Sequence, residues 1–240
     1  MALSGKHVVF DIVGTCVTYD AFYEAVDARI GDRLRVHGIR PRHFAFTWMM
    51  EAEREYSYLD RSGRYVPFWT VFPPLFFRVL FQCGIEDPRT LCTADDAAVC
   101  AAAYRTLRAR PGILECHARL RAAGFTVWAF TSGDATRVQG YLAANGIDIP
   151  AAHFVTCDSL QVGKPTPEAY RHVLNQFAGA TETWFAAAHM WDTMAAQCNG
   201  FKGAWCSVYE KEPVTEVFGT PLVMADSLVE MADKIIAAST

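Results

Sequence analysis

Several features that would settle the class of this chain at once are missing. Its most apolar stretch, from Val71 to Phe81, is broken by Pro73, Pro74 and Arg78, and falls well short of the roughly 20 apolar residues of a membrane helix. No membrane partner is expected. Cys16, Cys83, Cys92, Cys100, Cys116, Cys157, Cys198 and Cys206 are scattered, with no CxxC among them, so they read as buried free thiols rather than a disulfide framework. The seven histidines are dispersed as well, which leaves no zinc-type spacing. Basic stripes interleaved with aromatics are absent, and 22 basic against 26 acidic residues give a formal charge of −4, so nucleic acid is not an expected partner. The run from Met1 to His7 has neither a long apolar region nor a small-residue cleavage site, which points to a cytoplasmic, reducing setting. There is no internal repeat and no linker rich in Gly or Ser.

What is present is a chain of 240 residues, 52% hydrophobic, enough to bury a core without disulfides or structural metal. Four short apolar runs end in or lead to a polar residue: His7 to Asp11, Thr126 to Thr131, His153 to Cys157, and Trp184 to His189 ahead of Asp192. Such runs are the signature of buried parallel strands. Helix-like stretches of crossover length lie among them, Gly112 to Ala123, Asp134 to Asn145 and Thr166 to Phe177, with Gly124 and Gly146 placed as C-terminal caps. Gly203 to Val208 and Pro221 to Met224 add strands, and Ser227 to Ala238 a closing helix. The alternation predicts an α/β fold, a parallel-sheet core made of residues 1–15 and 111–240.

Residues 16–110 break that alternation, with repeated helical periodicity and almost no strand signal. Phe44, Trp48, Ala52 and Tyr56 recur every fourth residue, one face of a helix. The segment reads as an inserted helical domain whose aromatics mostly pack its own core, the rest being free to line a pocket.

In an open α/β sheet, ligands bind beyond the carboxyl ends of the strands. The residues there form a chemical set: Asp11 after the first strand, Thr131 and Ser132 after the second, Lys164 after the third and Asp192 after the fourth. Asp11 suits a carboxylate nucleophile, and Lys164 would offset its repulsion with Asp192 and keep both ionised near neutral pH. Thr131 and Ser132 are placed to donate to one carboxylate oxygen. Gly14 permits a tight turn after Asp11, and Thr15 can brace that loop. A Lys–Asp ion pair with two helix caps is the structural alternative.

Asp11-Ile-Val-Gly-Thr15, Phe130-Thr-Ser-Gly133, Gly163-Lys-Pro-Thr-Pro-Glu-Ala-Tyr170 and His189-Met-Trp-Asp192 together resemble, in order, the four motifs of the haloacid dehalogenase superfamily. With the helical insertion, and Glu55 to Leu59 and Gly63 to Trp69 within it, they resemble more narrowly its 2-haloacid dehalogenase branch. The resemblance implies a Rossmann-like core, a helical cap, and dimerisation through that cap. It also implies inverting attack by Asp11 on carbon and an ester hydrolysed by water with help from Asp192 and Lys164. The Thr15, Thr131, Lys164 and Tyr170 positions would support nucleophile and substrate. Trp191 and Tyr170 are as suited to the wall of a pocket as to chemistry.

This sequence departs from the family at telling places. Phosphatases of the superfamily carry a second Asp two residues after the nucleophile, where Val13 stands here, and Asp192 is followed by no second carboxylate one turn on; no metal and no cofactor are expected. The cap arginine that receives substrate or halide in the dehalogenases aligns with Met50, with Arg54, Arg61 and Arg64 nearby as displaced substitutes. Ala187 and His189 replace a serine and an asparagine. His189 either holds its loop or supplies an acid-base group beside Asp11. The leading expectation is a metal-independent enzyme acting at carbon of an organic small molecule, such as a secondary-metabolite intermediate whose epoxide or C–O bond is opened or rearranged. Hydrolytic 2-haloacid dehalogenation through an Asp11 ester is the alternative. A ligand-binding relative without turnover is the non-enzymatic one.

Overall fold

The computed structural model describes residues 4–239, so Met1 to Leu3, part of the N-terminal run, lie outside the described residues. Two compact units emerge: one takes the chain up to Thr18 and again from Ala109 onward, the other is Tyr19–Arg108.

The strands in chain order are β1 (Ser4–Phe10), β2 (Val17–Thr18), β3 (Arg108–Ala109), β4 (Phe125–Thr131), β5 (Phe154–Thr156), β6 (Gly179–Ala187), β7 (Lys202–Cys206) and β8 (Val223–Ala225). Six of them form the core sheet in the order β5-β4-β1-β6-β7-β8, and the pairings of β1 with β4 and β6, and outward from these, are parallel. This is a Rossmann-like order, in which the chain winds outward from β1 on one side and then restarts on the other at β6. Val8, Val9 and Phe10 are buried, as are Trp184 to Ala187, as central parallel strands covered on both faces require. Helices Ile113–Ala122, Ala135–Ala144, Pro167–Leu174, Met190–Cys198 and Leu228–Ala237 supply the cover. Asp134 and Ser227 cap two of them by accepting the amides of Arg137 and Glu230.

Two details differ from the sequence reading. The strand β6 begins at Gly179, five residues before its apolar run. β2 and β3 form a small two-stranded sheet inside the segment read as nearly strand-free.

The second unit is helical, with long helices Asp20–Val36 and Pro41–Arg61 and shorter ones through Ala94–Ala103. Phe44, Trp48, Ala52 and Tyr56 are all buried along Pro41–Arg61. Trp48 stacks on Phe72 with ring centroids 4.3 Å apart and donates its indole N–H to the Phe72 carbonyl at 2.8 Å. Each such fully buried aromatic contributes about 2–3 kcal/mol of burial free energy. No helix among the described residues is long and apolar enough to cross a membrane. The eight cysteines are free thiols, most of them buried; Cys198 is exposed and Cys83 half-buried.

Candidate active site

Asp11 sits one residue past β1, where its amide still donates to the Ala186 carbonyl at 3.0 Å. The chain then reverses: Gly14, at φ 89°, takes a conformation that side chains disfavour, and its amide reaches Val17 O at 3.0 Å. This reversal aims the Thr15 hydroxyl back at Asp11 Oδ2 at 2.8 Å. The same hydroxyl accepts the Ala188 amide at 2.9 Å, joining the ends of β1 and β6, where the winding of the sheet reverses.

Lys164 lies in the loop before helix Pro167–Leu174. Its Nζ reaches Asp11 Oδ1 at 3.0 Å and Asp192 Oδ2 at 2.7 Å. The ammonium also rests over the faces of Phe130 and Phe185. Asp192 occupies the first turn of helix Met190–Cys198, where the helix dipole favours an anion. Its other oxygen accepts the Tyr170 hydroxyl. His189, the residue before that helix, places Nδ1 3.2 Å from Asp11 Oδ2. Trp191, half-buried, stands 5.7 Å from the His189 ring.

Environment separates the two carboxylates. Burial on its own would raise Asp11, but the Lys164 charge and then hydrogen bonding from His189 and Thr15 more than offset it, and its pKa falls well below the ordinary carboxylate value. For Asp192 burial prevails: with the Asp11 charge added, it outweighs Lys164 and Tyr170, and the pKa is raised. Lys164 thus bridges both carboxylates, as its place in the sequence suggested, while their surroundings shift them in opposite directions. Lys164 itself is driven upward: its two carboxylate partners outweigh the burial that opposes its charge. Tyr170 is raised by burial and by Asp192, so it stays a protonated donor.

Two expectations change, and the residues expected in the helical insertion lie there. Thr131 and Ser132 do not donate to Asp11: the Thr131 hydroxyl turns into its own loop to accept the Gly133 amide at 3.1 Å, and Ser132 Oγ lies beside Cys157 Sγ. Tyr170 is fully buried and serves Asp192, so it is no pocket wall. Met50 belongs to the helical unit, half-buried on helix Pro41–Arg61. Arg54, exposed, pairs there with Glu51, and Arg61 and Arg64 are exposed.

Sequence reasoning passed over residues that the fold brings here. Tyr209 packs edge-on against His189 with centroids 4.9 Å apart. Glu210 accepts the Met190 amide at 2.7 Å, and Arg110 donates to the carbonyls of Gly14 and Thr15. None lies in a motif; their only signal was position just after β7 or β3.

The oxygens of Asp11 and Asp192 accept from Lys164, Thr15 and Tyr170 or lie against His189, and the ammonium of Lys164 supplies the positive charge between the two carboxylates. Among the described residues no group of three His, Cys, Asp or Glu side chains could hold a metal ion.

Residues 6–200 match the model of a family described as haloacid dehalogenase-like hydrolase. Among curated proteins, the chain is 24% identical over 195 residues to (S)-2-haloacid dehalogenase 1 of Pseudomonas sp. (strain CBS-3), covering 80% of this chain and 83% of that protein. It is 26% identical over 203 residues to (S)-2-haloacid dehalogenase 4A of Burkholderia cepacia, covering 84% and 82%. Its fold is like that of L-2-haloacid dehalogenase from Xanthobacter autotrophicus, with a TM-score of 0.76 at 19% identity over the whole of both chains.

Proposed function

The chain belongs to the haloacid dehalogenase-like hydrolases, and on that premise we propose that it is a hydrolytic dehalogenase working through an ester of Asp11. The observation that carries this reading is the Asp11 carboxylate itself, held ionised by Lys164, His189 and Thr15 at the point where the winding of the sheet reverses. An ionised carboxylate in a dry, preorganised site is a nucleophile.

In this reading an Asp11 oxygen forms a bond to the carbon bearing the halogen, and the halide leaves with the electron pair of the broken bond. Water then adds to the Asp11 carbonyl carbon. Asp192, whose raised pKa makes it the stronger base of the two, takes the water proton. The C–O bond to the enzyme oxygen is kept in the product alcohol, and Asp11 retains an oxygen from water. The similarity to (S)-2-haloacid dehalogenases supports this hydrolytic route over the rearrangement expected from the motifs. It makes 2-haloacids the first substrates to test, with Met50 in place of the cap arginine holding efficiency on 2-chloropropionate below about 10⁴ M⁻¹s⁻¹, the low end of ordinary enzymes.

Turnover in H₂¹⁸O followed by mass spectrometry of the Asp11 peptide tests the route. Label in Asp11 before product is the expected result; turnover with Asp11 unlabelled overturns it. The second reading, acid-base opening of an epoxide or C–O bond, has in its favour the His189 to Asp11 contact. It requires unlabelled Asp11 and a loss of about 10²–10⁴-fold in His189→Ala, the usual worth of a positioned general acid. The ester route requires that variant to be mild.

A further inference from the structure

Arg110 is half-buried, follows directly on β3, and belongs to no motif. Its guanidinium nevertheless reaches three backbone carbonyls on two separate loops. Nη2 donates to Gly14 O at 2.6 Å, Nε to Thr15 O at 3.2 Å, and Nη1 to Val208 O at 3.0 Å. Its own amide donates to Cys16 O at 2.8 Å. Three donors spread in a fixed plane are what a guanidinium offers and an ammonium does not.

Both loops end at the chemistry. The Gly14–Thr15 turn carries the hydroxyl that donates to Asp11 Oδ2 and accepts the Ala188 amide. The segment from Val208 carries Tyr209, whose ring packs on His189, and Glu210, which accepts the Met190 amide at the start of the helix bearing Asp192. The two neighbours of the Asp11–His189 contact, Thr15 on one residue and Tyr209 on the other, therefore hang from one side chain.

We propose that Arg110 is a positioning residue: by clamping the Gly14–Thr15 turn to the Val208–Glu210 segment it sets the geometry in which Asp11 meets His189. The proposal rests on Asp11 as the reacting carboxylate, and touches neither substrate nor reacting atoms. The charged or titratable groups that face His189 include Asp11, Tyr209 and, through the Met190 amide, Glu210, with Lys164 on the far oxygen of Asp11.

Full-length Arg110→Met and Arg110→Lys test this with two readouts. The first is the ¹H–¹⁵N imidazole spectrum of His189, assigned through His189→Asn, with buried His7 and His117 as internal controls. The second is kcat and KM for halide release from (S)-2-chloropropionate. Arg110→Met should displace the His189 signals while those of His7 and His117 hold, and should lower kcat about 10²-fold, the scale of a small misplacement of reacting groups, with KM within a few-fold. Arg110→Lys keeps the charge and stem and folds if Arg110→Met does not; it should resemble Arg110→Met in the spectrum and recover little of kcat. Wild-type spectra and kcat in Arg110→Lys would overturn the proposal, as would an unmoved His189 in folded Arg110→Met. A wild type that releases no halide, with His189 still answering to Arg110, would sink the dehalogenase reading and leave the clamp standing.

Discussion

Two clusters of charge, one in each unit, look alike on paper and differ in physics. In the sheet unit Lys164 bridges Asp11 and Asp192, with side-chain exposures of 1%, 9% and 0%. In the helical unit Arg29 and Arg33, each 37% exposed, converge on Asp96, while Arg29 also reaches the exposed Asp95. The helical cluster explains itself structurally. Asp96 completes a capping box with Thr93 at the start of helix Ala94–Ala103, and its arginines, on helix Asp20–Val36, stay in contact with water. In the sheet cluster the helix dipole favours Asp192 alone, and Asp11 beyond β1 caps no helix. Burying two carboxylates around one ammonium is commonly no better for stability than apolar side chains of the same volume. Charge held dry at the crest of a parallel sheet fits the proposed chemistry, whereas charge that caps a helix already has its structural reason.

The comparison breaks hardest at Lys164. Lys164→Met leaves two buried carboxylates with no cation between them, and should cost about 3–5 kcal/mol, the usual penalty for removing one partner of a buried pair. Activity should fall at least about 10³-fold, since Asp11 then loses its largest favourable electrostatic partner. Adding Asp11→Asn should recover part of the stability in urea unfolding and none of the activity. Were the single variant as stable as wild type and still active, the cluster would be ordinary packing.

How much of this was legible in the sequence follows the same division. The strand crests could be read because a buried parallel strand is an apolar run that stops at a polar residue, as at Asp11 and Thr131, and the run that ends in β6 leads on to Asp192 in the next helix. Helix Pro41–Arg61 could be read from aromatics four residues apart. The first half of β6 could not, because Gly179 to Glu182 reads as a turn. Its buried Glu182 becomes tolerable only through Lys202 at 2.7 Å and the Trp184 indole at 2.9 Å, partners that no local pattern reveals. β2 and β3, at two residues each, are shorter than any period. In the site, residue identity was legible and side-chain direction was not. The Thr131 hydroxyl accepts the Gly133 amide within its own loop, and Arg110, Tyr209 and Glu210 arrive through tertiary folding alone.

His117 sharpens the comparison from the other side, as a titratable group buried in the sheet unit with no chemistry to do. It packs edge-on against Phe10, and neither ring nitrogen has a hydrogen-bond partner. Burial, with a smaller contribution from Arg121, lowers its pKa from 6.5 to about 3. The folded state thus prefers the neutral ring. The stability tied to this preference is complete above about pH 6.5 and is lost as pH falls toward 3, amounting to a few kcal/mol at most. His117→Leu should flatten that part of the pH–stability curve and leave activity near neutral pH unchanged. An unaltered curve would mean that the ring is not buried neutral.

The smallest effect belongs to Asp96. Hydrogen bonding from Arg33, followed by that of Thr93 and Arg29, outweighs burial and depresses its pKa, so its contribution is present above the ordinary carboxylate pKa and lost as pH falls below about 4. Asp96→Ala removes the capping carboxylate and two half-solvated ion pairs, and about 1–2 kcal/mol is the expected cost: a lost cap accounts for roughly 1 kcal/mol, and exposed pairs add at most about as much again. Turnover should stay within a few-fold of wild type, because the loss is one of helix anchoring. The measurement is paired urea unfolding of variant and wild type at pH 7 and pH 3. Their midpoints should differ at pH 7 and draw together at pH 3, where the unfolded wild-type chain takes up a proton on Asp96 that the folded state, with its depressed pKa, does not. A cost of Lys164 magnitude at pH 7, or a gap that persists unchanged at pH 3, would show that the helical cluster is as dry as the sheet cluster and that exposure does not separate the two.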